Sequence, residues 1–185
     1  MRSDPLADFV KRLERIVAGD ARPEDAVLAD VREAMQALVA TDDWLPEPFS
    51  RPDPERYRQY LLHADPDDRF CVVSFVWGPG QNTPIHDHCA WGVIGMLRGA
   101  EVTTSFSESP SGMRQGEELT LQPGDVAVVG PVVGDIHRVR NAYADRVSIS
   151  IHAYGTNIGK QTRHVFDPQS CARKDFVSGY SNAAA

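Results

Sequence analysis

A chain of 185 residues, 42% hydrophobic and 24% charged, is long enough for one domain with a buried core and has neither a disordered nor a membrane composition. A net charge of -7 with no basic run argues against a nucleic-acid or anionic-membrane partner. Three widely spaced cysteines, Cys71, Cys89 and Cys171, with no CxxC pair, argue against a disulfide framework or a cysteine zinc site.

In chain order, Lys11, Arg12, Glu14 and Arg15 interrupt the first apolar residues, which fits neither a signal peptide nor a spanning helix, so the expected location is the cytoplasm. Asp4 can cap a first helix with Pro5 in its first turn and Leu6, Phe9, Val10, Leu13, Ile16 and Val17 along one stripe. Gly19-Asp20 breaks it. Pro23 and Glu24 open a second helix striped by Val27, Leu28, Val31, Met35, Leu38 and Val39. Pro46, Pro48, Pro52 and Pro54 then mark a surface connector. From Tyr57 onward, β-rich runs over 57–63, 69–77, 91–97, 100–107, 117–121, 125–129, 146–154 and 162–166 alternate with turn clusters such as Gly78-Pro79-Gly80. Many short strands at this spacing predict a sandwich or barrel. The expected organisation is one domain: helices over 1–45 packed on a barrel spanning 46–168, then a loosely held tail over 169–185.

His86-Asp87-His88 is the first chemical signal. In an extended chain, alternate side chains share a face, so His86 and His88 point together and Asp87 points away. Two imidazoles so placed can chelate one metal, but surface or hydrogen-bonded histidines explain the tripeptide as well. Its surroundings strengthen the metal reading. Gly80 precedes it, Gly92 and Gly99 follow, and Pro123-Gly124-Asp125 leads to Pro131, Gly134, His137 and Asn141. The two stretches resemble the paired motifs of cupins, in which the second supplies a histidine and, four positions on, an asparagine that completes the site. The resemblance implies a mainly β, cupin (RmlC-like jelly-roll) barrel preceded by α-helices, with His86, His88 and His137 on one metal.

The glutamate ligand of the general cupin pattern is replaced by Gly92. Three neutral imidazoles with open positions suit ferrous oxygen chemistry, and zinc also accepts three histidines. With no carboxylate ligand, the dication keeps its charge and favours an anionic incoming ligand such as a thiolate. A second constellation lies in Ser148-Ile149-Ser150-Ile151-His152-Ala153-Tyr154. Ser150, His152 and Tyr154 share one face and form a relay if that face lines the pocket; otherwise the strand simply has a solvent side.

Tyr57-Arg58-Gln59, Phe75-Val76-Trp77-Gly78, His86-Asp87-His88, Gly92 to Gly99, Asp135-Ile136-His137 and the Ser150–His152–Tyr154 run resemble the cysteine dioxygenase type I family over roughly residues 50 to 168. The similarity points to the bacterial 3-mercaptopropionate dioxygenase branch. It implies one Fe(II) per chain on His86, His88 and His137, with Ser150, His152 and Tyr154 as the relay. The expected substrates are a small thiol carboxylate and dioxygen, and the product is a sulfinic acid. Where animal members carry a carboxylate-binding arginine, this chain has Gln59, and Arg163 is the implied anchor in its place, with Tyr154 and Gln59 as further substrate-binding residues. A forked guanidinium suits that role. The cysteine that animal members link to the active-site tyrosine corresponds to Gly92, so Tyr154 is expected to be unlinked. Cys89 and Cys71 are expected to be small buried hydrophobes. The competing readings are a different cupin metalloenzyme and a non-catalytic small-molecule-binding cupin, because a fold does not choose its chemistry. The pattern fixes no oligomeric state.

Overall fold

The computed structural model describes residues 4–18 and 22–182. The expected break at Gly19-Asp20 lies outside the described residues, as do Met1, Arg2, Ser3 and the three final alanines. Two helices, α1 (Pro5–Val17) and α2 (Glu24–Leu38), precede ten strands. Asp4 caps α1 as expected, its side chain accepting from the Ala7 N–H. Phe9, Val10 and Leu13 are buried on one side of α1, and Leu28, Val31, Met35 and Leu38 on one side of α2. The proline-rich connector holds only a short 3-10 turn, Glu47–Ser50. No helix among the described residues is long and apolar enough to cross a membrane.

The strands are β1 (Arg58–Ala64), β2 (Cys71–Trp77), β3 (Gly92–Arg98), β4 (Glu101–Ser109), β5 (Gly112–Leu121), β6 (Val126–Val129), β7 (His137–Asn141), β8 (Ser148–Tyr154), β9 (Arg163–Phe166) and β10 (Arg173–Phe176). They form a five-stranded sheet in the order β1-β2-β8-β3-β6, a three-stranded sheet β5-β4-β7 and a ribbon β10-β9, and the pairs are antiparallel. The two larger sheets face each other. Val139 of β7 packs with Val73, Phe75 and Trp77 of β2, and Leu121 of β5 with Ile94 and Met96 of β3. This is the jelly-roll barrel of a cupin, with the helices on the outside.

Every residue of β2 and β8 is buried. Sheets covered on both faces carry near-continuous apolar runs, and β2 reads Cys-Val-Val-Ser-Phe-Val-Trp. On β8, Ile149, Ile151 and Ala153 join the helix-facing core with Leu13, Val31 and Met35. Gly95 of β3 allows that approach, because a Cβ there would lie 2.7 Å from Met35 Cγ and 2.8 Å from Val39 Cγ1.

His86 and His88 sit in the extended segment that their alternation requires, with His86 bridging to His137 on one side and Val165 on the other. Two expectations are corrected. The strand carrying His137, β7, was absent from the predicted set; its alternation of His, Arg, Val, Arg and Asn has too few apolar residues to announce a strand. The tail is not loose. Its residues 173–176 pair with β9, the Ser181 hydroxyl accepts from the Gln59 N–H, and the Asn182 side-chain oxygen accepts from the Leu61 N–H. Backbone pairing and side-chain caps hold it where composition gave no apolar signal.

Candidate metal centre and active-site cavity

His86 and His88 come from the extended segment before β3, and His137 from the first position of β7. Reciprocal backbone hydrogen bonds between His86 and His137, at 2.9 and 3.0 Å, clamp the two segments together. The ring centroids lie 4.8 to 5.0 Å apart, and one ligand atom from each ring falls within 4.8 Å of the others. All three side chains are buried.

The outer nitrogens explain how the rings are aimed. Nδ1 of His86 lies 3.1 Å from Pro84 O, that of His88 2.8 Å from Asp135 Oδ1, and that of His137 3.0 Å from Thr103 Oγ1. A carbonyl or carboxylate beside Nδ1 calls for a proton there, which leaves Nε2 as a bare lone pair directed at a metal. Burial, then the neighbouring His88 charge, pushes the His86 imidazole down to about 3. Burial, then His86 and His88, likewise holds His137 well below its usual value. Neutral imidazoles with oriented lone pairs fit a divalent ion. Burial would raise the Asp135 carboxyl, but hydrogen bonds from the His88 ring and from the His88 and Cys89 N–H groups hold it below its usual value.

Asp87 points away from the cluster, as alternation predicts. It accepts from the His164 N–H at 2.8 Å and lies 2.7 Å from His164 Nδ1, tying the metal-facing segment to β9. Cys89 is a correction: it is exposed, not buried, adopts a left-handed φ of 55°, and sits 3.8 Å from His164 Nδ1. Its side chain lies with those of Asp87 and His164, on the side away from the three rings. Cys71 is buried, as expected.

Ser150, His152 and Tyr154 face the barrel interior in a continuous chain. His152 Nε2 lies 2.8 Å from Ser150 Oγ, and His152 Nδ1 lies 2.8 Å from the Tyr154 hydroxyl. The Trp77 indole N–H donates to Ser150 Oγ at 3.2 Å. Burial, reinforced by the charges of His88 and His86, keeps His152 well below its ordinary value, and burial pushes the Tyr154 hydroxyl up. The relay is therefore a neutral imidazole and a neutral phenol near neutral pH. Gly92 pairs with Tyr154, and a Cβ on it would come within 2.9 Å of the ring carbon Cε1. The missing side chain at position 92 thus provides the room in which Tyr154 lies, and no thiol stands there to be linked to it.

A cavity of about 230 Å³ opens over the cluster, lined by the three histidines, His152, Tyr154, Arg163, Gln59 and an apolar wall that includes Tyr57, Phe75, Trp77, Val139, Val165 and Phe176. No acidic side chain is among its lining residues. Arg163 is buried, and its guanidinium carbon sits 4.6 Å from the centre of the Phe176 ring. One Nη2 N–H donates to Ser178 Oγ at 2.8 Å, while Nε has no partner. Among the described residues no carboxylate forms an ion pair with it. The Gln59 amide is already engaged, donating to Ser178 Oγ at 3.2 Å and Gly179 O at 3.1 Å. It braces the tail against Arg163.

Asn141 does not complete the metal site. Its amide donates to the carbonyls of Trp77, Gly78 and Arg146, and its oxygen accepts from Ser148 and the Tyr143 N–H. It staples the turns at the end of β7 away from His137. Asp135, Thr103, Phe176 and Ser178 were not singled out as site residues. Asp135 could have been, because it stands two positions before His137 in an extended segment. Thr103 and the tail residues reach the site only through long-range pairing that spacing does not reveal.

The sequence matches the family model described as cysteine dioxygenase type I over residues 1–167. The zebrafish (Danio rerio) protein named cysteine dioxygenase type 1 is 26% identical, over 98% of this chain and 85% of its own length. The rat (Rattus norvegicus) protein of the same name is 28% identical, over 89% of this chain and 80% of its own length. Among solved structures, a Klebsiella pneumoniae protein with a double-stranded β-helix domain is 16% identical, with a TM-score of 0.48 over 70% of this chain and 91% of its own.

Proposed function

Because this chain belongs to the cysteine dioxygenase type I family and is a thiol dioxygenase, we propose that it oxidises a small thiol carboxylate, 3-mercaptopropionate in preference to L-cysteine. The proposal takes one ferrous iron per chain on His86, His88 and His137. When bound, that iron supplies the open coordination positions and the one-electron chemistry that ground-state dioxygen requires. The net reaction places both atoms of dioxygen on sulfur, which loses four electrons as the thiol becomes a sulfinic acid, so no external reductant is needed.

The residues of the chain do the positioning. Arg163 holds the substrate carboxylate; a desolvated guanidinium with an unpartnered Nε favours an anion strongly. The apolar wall excludes water and confines the two methylene groups between that anchor and the cluster. Tyr154, held by His152, presents a neutral hydroxyl at the cavity wall beside His88, whose ring centre lies 5.3 Å from its own. Ser150 fixes His152 from behind.

One observation carries the substrate preference: the cavity offers a buried cation and no acidic lining residue. The ammonium of L-cysteine would be desolvated with no counter-ion near a like charge, whereas 3-mercaptopropionate has no such group. The test compares kcat/KM for 3-mercaptopropionate, L-cysteine and cysteamine in the wild type and in Arg163→Ala. The wild type is expected to favour 3-mercaptopropionate, and Arg163→Ala to lower that value roughly 10- to 100-fold, matching loss of a charged hydrogen bond. Cysteamine, which has no carboxylate, should change little. Equal losses on all three would take Arg163 out of substrate recognition. A wild-type preference for L-cysteine would overturn the substrate assignment.

A further inference from the structure

The segment that carries His86 and His88 has a second side. Asp87 and Cys89 alternate with the two histidines and lie away from the three rings, and β9 brings His164 up to meet them. One donor atom each from the Asp87 carboxylate, the Cys89 thiol and the His164 imidazole falls within 4.8 Å of the others. His164 Nδ1 lies 2.7 Å from Asp87 Oδ2 and 3.8 Å from Cys89 Sγ. Thiol oxidation uses none of these three side chains. Hydrogen bonds to the backbone hold the group in place. The Asp87 N–H donates to His164 O at 3.1 Å, the His164 N–H to Asp87 Oδ1 at 2.8 Å, and the Cys89 N–H to Asp135 Oδ2 at 2.9 Å. Asp87 is buried, His164 half-buried and Cys89 exposed, so the group is braced from within and open to solvent on one side.

We infer that Asp87, Cys89 and His164 form a second metal site, separate from the His86–His88–His137 cluster and built for zinc or a similarly thiophilic divalent ion. Zinc accepts a thiolate, an imidazole and a carboxylate, and a thiolate ligand selects against magnesium and calcium. Zinc bonds of about 2.3 Å to sulfur and about 2.0 Å to nitrogen set tetrahedral donors roughly 3.6 Å apart. The Cys89–His164 separation of 3.8 Å is close to that. Asp87 and His164 stand nearer than two shared ligands do, because a proton lies between them. The ion takes the place of that proton and displaces the thiol proton as well. Two protons leave to solvent, the carboxylate withdraws by roughly 0.6 Å, and the dication is neutralised by one thiolate and one carboxylate. The outer nitrogen of the ring gives independent support. His164 Nε2 faces Asp175 Oδ1 at 3.8 Å, so a carboxylate stands behind this imidazole as Asp135 stands behind His88. The exposed side supplies an entry path and a fourth position for water. An ion held there ties the segment bearing His86 and His88 to β9, the strand that begins with Arg163.

The test titrates iron-loaded protein with cobalt(II) in the absence of any thiol substrate, so it needs no turnover and is independent of which thiol is oxidised. The wild type should develop a thiolate-to-cobalt charge-transfer band. Cobalt that exchanged into the three-histidine cluster would give no such band, because no sulfur ligates there. Cys89→Ser, an isosteric change at an exposed position, should abolish the band, and His164→Ala should weaken cobalt binding by more than about tenfold. Cys171→Ser, which removes the half-buried thiol, should leave the band intact. Zinc should raise the unfolding midpoint of iron-loaded wild type by a few degrees and leave that of Cys89→Ser where it was. Iron content should be the same in Cys89→Ser as in the wild type. A wild type without the band, a band that persists in Cys89→Ser or is lost in Cys171→Ser, or an equal zinc shift in wild type and Cys89→Ser would overturn the second site.

Discussion

The two faces of β8 lie one peptide apart and have opposite occupations. Outward, Ile149, Ile151 and Ala153 pack against Leu13, Val31 and Met35 of the helices. Inward, Ser150, His152 and Tyr154 form a hydrogen-bonded line in the barrel, beside a cavity whose imidazoles, Gln59 and Arg163 face an apolar wall. Both faces are dry, so the difference is not between core and surface. It lies in what satisfies each side chain: apolar contact on one side, a complete set of donors and acceptors on the other. The helices allow this arrangement. By covering the outer face of the sheet they supply the apolar burial that stabilises the strand, which leaves the inner face free to carry polar groups.

The largest expected effect comes from emptying the inner side while leaving the outer side alone. His137→Ala removes one of three imidazoles and should reduce iron from one per chain to near zero, measured by metal analysis of purified protein. Cooperative thermal unfolding should persist, because the helix-facing cluster is untouched. Full iron occupancy in this variant would remove His137 from the ligand set. The converse change is Ile151→Ala. It should cost about 2–5 kcal/mol of stability through the cavity it opens beneath the helices. Turnover per folded molecule should stay within about twofold of the wild type. Stability unchanged and activity lost would show that the two faces are not separable.

Much of this was legible in the sequence, because period and chemistry coincide. Alternation through Ser148 to Tyr154 placed the three relay residues together, and the apolar positions between them called for a covering layer that the N-terminal stripes could supply. The His-x-His tripeptide placed two imidazoles on one side for the same reason. What could not be read is what long-range pairing decides. β7 carries two arginines among its five residues and gave no apolar alternation to find, although it holds His137. The tail looked loose by composition, yet Ser178 accepts from both Arg163 and Gln59 across more than a hundred residues in the latter case. Cys89 does lie beside Asp87 and His164, away from the three rings, but the habit of free cysteines to be buried fails at a position exposed on a left-handed turn.

The finest version of the comparison concerns two aspartates on either side of the metal-facing segment. Asp135 lies against the His88 ring and accepts from the His88 and Cys89 N–H groups. Asp87, between the two histidines in sequence, turns the other way and secures His164. A carboxylate behind a ligating imidazole raises its basicity and fixes its tautomer, and losing such support typically costs 10–100-fold in metal affinity. Asp135→Asn keeps the shape but removes the charge, and its amide N–H₂ would confront a backbone donor. Iron affinity, measured by competition with a chelator, should therefore fall by about that factor. Asp87→Asn should change it far less, since no ring of the cluster rests on that carboxylate. Equal losses in the two variants would mean that the segment's backbone position, not polarisation of the His88 ring, governs how tightly the ion is held.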